Sequence, residues 1–229
     1  MRNLEQHEKE ITIPKHGDTF KLGGAEVKIL GPIKPSENLN NTSIVMRLVY
    51  DEISVLFMGD AERELEQDIL AEGYELSSDV LLVGHHGGGT STTYPFLREV
   101  MPRVAVISVG RLNSYGHPEE NMLSRLRDAE ARVFRTDMQG MITLNTDGKE
   151  LRMTAERNLN AETNPNERSA ATQRVDVIES RYIGNSRSRR LHRPSCSAAG
   201  DIAVRNRVIF RRREIAFEQG YSPCSLCRP

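Results

Sequence analysis

No apolar run in this sequence approaches the roughly 20 residues that a membrane-spanning helix needs. The first ten residues, MRNLEQHEKE, are mostly charged or polar and hold no apolar segment of the kind that secretory signals contain. These two absences predict a cytoplasmic protein without a membrane span. Hydrophobic residues make up 38% of the 229 positions and the mean hydropathy is -0.51, which fits a folded region joined to a polar linker. A chain of this length is expected to hold one medium domain and one small one.

Cysteine is also scarce. The three cysteines are an odd number, and all of them follow residue 195. A disulfide framework usually shows an even number of cysteines spread through the fold, so this pattern argues against one. Clustered, closely spaced thiols in a chain without a secretory signal indicate metal ligands instead.

The net charge of -1 conceals an uneven distribution of charge. Residues 181–229 contain eleven Arg, no Lys and three acids, for a net charge of +8, so the first 180 residues carry -9. A basic module joined to an acidic domain favours contact between the C-terminal part and a polyanion such as DNA. The alternative is a small domain whose surface is simply charged.

Residues 9–152 alternate between short apolar β runs and amphipathic helical segments, which predicts an α/β domain over 1–153. The predicted strands are EITI (10–13), AEVKIL (25–30), SIVMRLVY (43–50), ISVLFMG (53–59), DVLLVG (79–84), RVAVISVG (103–110), ARVFRTD (131–137) and MITLNTD (141–147). The predicted helices are 62–73, 95–100 and 117–130. The polar segment 154–180 is predicted to be a flexible linker, followed by a second domain over 181–229.

The strongest motif lies in the second domain. His192 and Cys196 are separated by three residues, and Cys224 and Cys227 by two, with 27 residues between the pairs. Two close pairs that a folded segment brings together are what a closed tetrahedral zinc site needs, and thiolates with imidazole suit zinc. Free buried cysteines are the weaker interpretation, because a module of 49 residues has too little core to fold well without such a staple.

The same segment resembles the metal-binding domain at the start of Ada-type DNA-repair proteins. The resemblance covers the whole module, through Y-I-G-N, H-R-P-S-C, N-R-V-I-F, the helix EIAFEQGY and P-C-S-L-C-R-P. In the repair protein all four ligands are cysteines, and the first also accepts methyl groups from DNA phosphates. His192 stands at that position here, so the resemblance implies a structural zinc and DNA binding without methyl transfer.

Three further features are candidates for chemistry in the first domain. Asp60 follows an apolar strand, His85 and His86 follow another, and His117 precedes a helix within Tyr-Gly-His-Pro. Polar residues at the carboxyl ends of buried strands line the ligand crevice of an α/β fold, so a divalent metal site is predicted there. Taken singly, each feature also fits an ordinary turn, loop or helix start.

These segments, in this order, are similar to the second half of a ComEC-like metallo-β-lactamase domain. The resemblance runs over about residues 9–148 and rests on NNTSIVMRLVY, ISVLFMGDAERELE, DVLLVGHHGGGTSTTYPFLREV, SVGRLNSYGHPEENMLSRL and VFRTDMQGMITL. It implies part of an αββα sandwich and a phosphodiesterase or nuclease that uses a metal-bound hydroxide. By position, Asp60 resembles the aspartate that bridges two metals, and His85 a histidine ligand, with His86 the less favoured choice. His117 resembles a histidine beside the site that holds phosphate or donates a proton.

The chain departs from that family in one respect. The principal metal motif of the family, H-x-H-x-D-H, belongs upstream of the matching segment and is absent, and neither His7 nor His16 has the spacing or neighbours to replace it. Three explanations stay open: a fragment or mis-started product, a domain complemented by an N-terminal half on another chain, or a degenerate domain kept for binding.

Together these features predict a truncated metallo-β-lactamase-like hydrolase domain, a linker and a basic zinc module. The expected function is metal-dependent hydrolysis of DNA or another phosphodiester, with Zn²⁺ or Mn²⁺ at the hydrolase site and structural Zn²⁺ in the tail. Hydrolysis of small substrates fits the same residues. The rival hypothesis is a non-catalytic DNA-binding protein whose first domain is a scaffold.

Overall fold

The computed structural model describes residues 12–164, 182–193, 196–210, 213–227 and 229. Within them the chain has a mixed α/β fold with sheets of seven, four and two strands. This confirms the α/β class that the alternating sequence pattern predicts. Among the described residues no helix is long and apolar enough to cross a membrane.

The seven-stranded sheet keeps its strands in the order of the chain. Its members are β1 (Thr19–Leu22), β2 (Ala25–Gly31), β3 (Val45–Tyr50), β4 (Ile53–Phe57), β5 (Val80–Leu82), β6 (Val104–Ile107) and β7 (Arg132–Arg135). The first four strands are antiparallel, and β4 to β7 are parallel. A tight turn joins β3 to β4, with Asp51 at a φ of 52°.

Three helices connect the parallel strands: α1 (Arg63–Ala71), α2 (Tyr94–Val100) and α3 (Glu120–Asp128). Crossovers of one hand that all step in the same direction place their helices on the same face of a sheet. The three helices accordingly share one buried core with that face, to which they contribute Leu65, Ile69, Phe96, Val100, Met122 and Leu126. This face of the domain is therefore closed.

The other face of the sheet is covered only in part. A short helix, α4 (Thr136–Gln139), leads into the hairpin of β8 (Ile142–Thr146) and β9 (Leu151–Ala155). The hairpin packs over β4 to β7, with Ile53, Val80, Val104, Phe134, Leu151 and Met153 buried between the two sheets. Cross-strand pairing carries the same face onward to β1 and β3, where Phe20, Leu22 and Tyr50 are 47%, 62% and 37% exposed. We name these three residues the open apolar face.

The predicted linker falls partly within the described residues. Its first residues complete β9, and the chain then returns along β7 and α3 as far as residue 164. Thr163 donates a hydrogen bond from its hydroxyl to the carbonyl oxygen of Val133, and the Asn164 amide donates to that of Leu123. Residues 165–181 lie outside the described part of the chain. The flexible linker over 154–180 therefore stays a prediction.

The C-terminal module contains a four-stranded sheet in the order β12-β10-β11-β13. Its elements are β10 (Tyr182–Asn185), β11 (Arg190–His192), α5 (Ser197–Gly200), β12 (Arg207–Phe210), α6 (Arg213–Glu218) and β13 (Ser222–Pro223). Leu191, Phe210, Ala216 and Tyr221 form its small core. Four buried side chains are a small core, which agrees with the expectation that a module of this size needs a further staple.

The module contacts the first domain through Arg213. The Arg213 guanidinium lies 3.4 Å from a carboxylate oxygen of Glu75 and 3.8 Å from one of Glu99. Beside this ion-pair cluster, the Tyr182 hydroxyl is hydrogen-bonded to Ser77, and burial raises the pKa of the Tyr182 phenol. Both contacts lie on the side of the first domain that carries the loops leading into β5 and β6.

In the first domain, the sequence pattern does not predict two of the strands, and one predicted strand is not observed. β1 and β9 are short, and each has only two apolar positions in alternation. Such brief alternation does not stand out from a loop. Of the predicted strand at 10–13, residues 10 and 11 lie outside the described part, and residues 12 and 13 are not in a strand.

Candidate metal centres

The predicted site residues of the first domain meet at the carboxyl ends of the parallel strands. Asp60 follows β4 by three residues, and His85 and His86 follow β5 by three and four residues. His117 lies in the loop between β6 and α3. This edge of the sheet is where an α/β fold places its ligand crevice.

Asp60 and His86 form the centre of this group. The Nε2 atom of His86 lies 3.4 Å from an Asp60 carboxylate oxygen. The Nδ1 atom of His86 lies 2.7 Å from the carbonyl oxygen of Ser108, which can only accept, so Nδ1 carries the proton and donates. The Nε2 atom thereby faces the carboxylate while Nδ1 donates to a carbonyl, which is the second-sphere arrangement common to histidines that bind metals. Both side chains are about half exposed and so are accessible to an ion.

His85 has a different environment. Its Nδ1 atom is 3.1 Å from a Glu62 carboxylate oxygen, and its Nε2 atom is 3.4 Å from the Asn40 amide nitrogen. The same Glu62 carboxylate accepts a hydrogen bond of 2.6 Å from Asn40. The resemblance favours His85 over His86 as the ligand, whereas the nitrogen that faces Asp60 in the structure belongs to His86. His85 is held by Glu62 and Asn40, which the sequence did not single out.

His117 lies against His85. The two rings meet edge to face with their centroids 5.1 Å apart, and the His117 side chain is 11% exposed. Burial lowers the pKa of the His117 imidazole, and the neighbouring His85 lowers it further, while Glu119 opposes the shift. The Asn113 side chain accepts a hydrogen bond from the His117 backbone and donates one to its carbonyl oxygen, which fixes the loop. A neutral imidazole is therefore held beside the Asp60–His86 pair.

Only two metal ligands are brought together at this edge. Within the described residues, no third His, Cys, Asp or Glu lies close enough to Asp60 and His86 to form a three-ligand group. A catalytic zinc site usually takes three protein ligands. Among the described residues, Asp60 and His86 alone therefore fall short of the ligand number of a catalytic zinc site.

The backbone that carries the two histidines is strained. His85 and His86 have φ values of 49° and 54°, in the left-handed region that residues other than glycine seldom occupy. The turn is held from both sides, because the His85 N–H donates to the Gly59 carbonyl and the Ser91 hydroxyl donates to the Gly84 carbonyl. Two consecutive strained residues at a predicted site are typical of functional geometry.

Glu66 and Arg125 secure the loop that follows the histidines. The fully buried Glu66 carboxylate accepts the backbone N–H groups of Thr92 and Thr93 and the Thr93 hydroxyl. Burial raises the pKa of this carboxyl, against the hydrogen bonds that lower it. Arg125 donates to the carbonyl oxygens of Gly89 and Ser91. A charged residue inside the apolar stripe of α1 was the one sequence signal for Glu66.

The C-terminal module brings all four predicted ligands together. The ligand atoms of His192, Cys196, Cys224 and Cys227 lie within 4.8 Å of one another, and the first three side chains are buried. A zinc–sulfur bond of about 2.3 Å places tetrahedral ligands a little under 4 Å apart, so the group fits Zn²⁺. The Arg193 N–H donates to the Cys227 sulfur at 3.4 Å, as a second-sphere partner of a thiolate would.

The protonation of these ligands also fits a metal. Burial lowers the pKa of His192, which keeps its imidazole neutral as a ligand must be. Burial, together with the neighbouring Cys196 and Cys224, raises the pKa of Cys227 to about 12. At Cys224 burial also opposes ionisation, but the N–H donors of Leu226 and Cys227 outweigh it and lower the pKa. Three close thiols become thiolates together only when a cation neutralises them.

Zinc binding to the module should therefore weaken as the pH falls. Thiols release protons when zinc binds, so we expect the affinity to drop by at least about tenfold per unit between about pH 8 and pH 6. Competition with a coloured chelator, corrected for the protonation of that chelator, measures this dependence. An affinity that stays constant over this range would contradict thiolate ligation.

Comparisons with known proteins identify sequence relatives of this chain, independently of the geometry of the two sites. The chain is 36% identical over 129 residues to ComE operon protein 3 of Bacillus subtilis, 36% over 115 residues to competence protein ComA of Neisseria gonorrhoeae, and 37% over 130 residues to recombination protein 2 of Haemophilus influenzae. These alignments take in 56%, 48% and 56% of this chain but 17%, 17% and 16% of the relatives. The chain thus spans about one sixth of the length of the curated relatives it matches. No family model matches it.

Proposed function

We propose that the first domain carries part of a metal-dependent phosphodiesterase or nuclease site, and that the zinc module holds DNA. The observation that carries the first half is the Asp60–His86 pair, in which Ser108 directs the free imidazole nitrogen toward the carboxylate. A carboxylate and an imidazole placed in this way suit Zn²⁺ or Mn²⁺.

The roles of the site residues follow from their surroundings. A divalent ion bound at such a site supplies a nucleophilic hydroxide and neutralises charge on a phosphate ester. Asp60 and His86 would hold it. His117, neutral and mostly buried, would bind a phosphate oxygen or transfer a proton to the leaving group. Glu62 and Asn40 fix the orientation of His85 beside that imidazole.

A partner is part of this proposal. Two ligands are too few for a working metal centre, and the open apolar face (Phe20, Leu22 and Tyr50) lies on the same sheet with its side chains 47%, 62% and 37% exposed. Exposed apolar patches on a sheet favour an interaction with another surface. A complementing N-terminal half, carrying the absent ligands on another chain, would cover the face and complete the site.

The DNA role of the tail has a separate basis. The segment 181–229 carries a net charge of +8, and the relatives are named for competence and recombination. A basic surface attracts the phosphate backbone through the release of counterions. The zinc itself would be structural, since four protein ligands leave no open position for a substrate.

The second candidate is a non-catalytic DNA-binding protein. It is favoured by one observation, the absence of a third metal ligand near Asp60 and His86 among the described residues. On this view the first domain is a scaffold for the tail. The two functions differ in what Asp60 contributes, because only the hydrolase needs its carboxylate.

Metal stoichiometry separates the two functions. For the hydrolase we expect about two or more metal ions per chain when the complementing half is present, one of them in the tail, and about one in Asp60→Ala and His86→Ala under the same conditions. Elemental mass spectrometry on the purified proteins gives the count. Cleavage of labelled DNA and of a chromogenic phosphodiester with added Mn²⁺ or Zn²⁺ then tests for activity that these two variants lack.

The matched control is Glu150→Ala, an exposed carboxylate at the hairpin of β8 and β9, distant in sequence from the site. It should keep the metal content of the parent chain. One metal ion in the parent, Asp60→Ala and Glu150→Ala alike, with no hydrolysis by any of them, would leave the binding-only function. Adding the complementing half would then be expected to change neither the metal content nor the lack of hydrolysis.

A further inference from the structure

A cleft of about 500 Å³ lies between helices α2 and α3 of the first domain and the zinc loop at 225–227. Three arginines, one from each of α2, α3 and the zinc module, lie among its walls: Arg98, Arg125 and Arg193. Tyr94 and Leu226 are also part of the lining, with 45% and 73% of their surface exposed. The lining does not include Asp60, His86 or the zinc ligands His192, Cys196 and Cys224, but it does include the fourth zinc ligand, Cys227.

The charge of this cleft is positive. Its one carboxylate, Asp128, accepts a short hydrogen bond from the Tyr94 hydroxyl. That bond raises the pKa of the Tyr94 phenol. Three guanidinium groups and one carboxylate line the cleft, and the buried Glu66 also attracts Arg125, so Arg98 and Arg193 carry the excess of positive charge that attracts anions.

Two of these arginines have unsatisfied donors. The Nε atoms of Arg125 and Arg193 are buried from solvent, and neither has a hydrogen-bond partner in the described protein. The two hydrogen bonds that Arg125 donates to the loop at 89–91 both come from Nη2, so they engage neither Nε nor Nη1. A buried donor without an acceptor is costly, so a small rotation that brings either Nε to an acceptor oxygen in the cleft would be favourable.

We infer that this cleft binds the phosphodiester backbone of a single-stranded nucleic acid. Phosphate oxygens match the fork of donors on a guanidinium better than most acceptors do. Tyr94 and Leu226 add an aromatic ring and an apolar side chain for a neighbouring base, the combination found in single-strand grooves. The volume suits one or two nucleotides and is too small for a duplex. The identity of the ligand rests on the proposed DNA role, whereas the anion site rests on the cleft itself.

The placement of the cleft gives it a role for both modules. Arg125 contacts the loop that follows His85 and His86, and Arg193 adjoins the zinc ligand His192. A strand bound there touches the first domain and the tail at once.

The test uses the zinc-loaded full chain with Asp60→Ala as background, so that no strand is cut. Fluorescence anisotropy follows the binding of a labelled single strand of about 12 nucleotides over a range of salt concentrations. We expect Arg98→Gln and Arg193→Gln each to weaken binding severalfold, and to reduce the slope of log affinity against log salt by about 0.7. Arg152→Gln, an exposed arginine of β9, is the matched control and should change neither quantity.

The outcomes decide the inference separately from the proposed function. Equal binding by the two cleft variants and the control would overturn the cleft while leaving the DNA role of the tail intact. Binding of inorganic phosphate that Arg98→Gln weakens, without binding of the single strand, would overturn the ligand. A preference for duplex over single strand would overturn it as well. Zinc content measured on Arg193→Gln shows that the module is still folded, and Arg98→Gln, on an exposed position of α2, does not depend on that fold.

Discussion

Replacing Cys224 with serine should unfold residues 182–227 while the first domain keeps its structure. Binding of a structural zinc supplies about 10–16 kcal/mol of the folding free energy in small zinc modules. Among the described residues, the module has few large buried side chains in its core to fall back on, namely Leu191, Phe210, Tyr221 and Ile202. In an NMR spectrum, the dispersed signals of the tail should collapse to random-coil positions, and the zinc content should fall by one ion per chain.

Ser225→Ala provides the control, because it lies in the same loop between Cys224 and Cys227 and is exposed. It should retain the zinc and the dispersed spectrum. Removing zinc from the parent chain with a chelator should reproduce the spectrum of Cys224→Ser. A tail that stays dispersed in the serine variant would show that the cluster is not what folds the module.

Glu66→Ala should destabilise the first domain by about 3–5 kcal/mol. The substitution leaves the buried N–H groups of Thr92 and Thr93 without an acceptor, at about 1–3 kcal/mol each, and opens a cavity in the core. It also leaves Arg125 without its nearest buried anion. Urea unfolding monitored by circular dichroism measures the free energy of unfolding.

Glu72→Ala is the matched control, since Glu72 ends the same helix and is exposed. Its effect should stay within about 0.5 kcal/mol, as for most surface substitutions. The loop at 88–93 should exchange its amide hydrogens faster in Glu66→Ala than in Glu72→Ala. If both variants unfold at the same urea concentration, Glu66 does not hold the loop.

The sequence predicted those features that depend on a single strand, a single helix or a pair of nearby ligands. The apolar runs that become β5 and β6 and the amphipathic helices α1 and α3 need only local periodicity, and the structure has them at the predicted positions. The four ligands of the tail come from two local pairs, and only the return of the chain between the pairs was left to tertiary structure. Their convergence in the structure confirms that these four residues could hold a metal ion.

Tertiary packing decided the rest. Which of His85 and His86 faces Asp60 depends on two left-handed residues and on the Ser108 carbonyl, and no spacing rule reports either. The contacts of Glu66 with Thr92 and Thr93 join residues 26 and 27 positions apart. Whether a glutamate within an apolar stripe is a surface residue or a buried clamp depends on the loop it meets.

The strained turn at His85 and His86 also bears on how this protein would respond to laboratory evolution. Left-handed conformations in residues other than glycine cost of the order of 1–3 kcal/mol each. Glycine at either position would relieve that cost and remove an imidazole from the crevice in the same step. A selection for thermostability alone would therefore enrich glycine at these positions, whereas a selection for catalytic activity would retain histidine. Positions at which the two selections differ would identify the residues that activity requires.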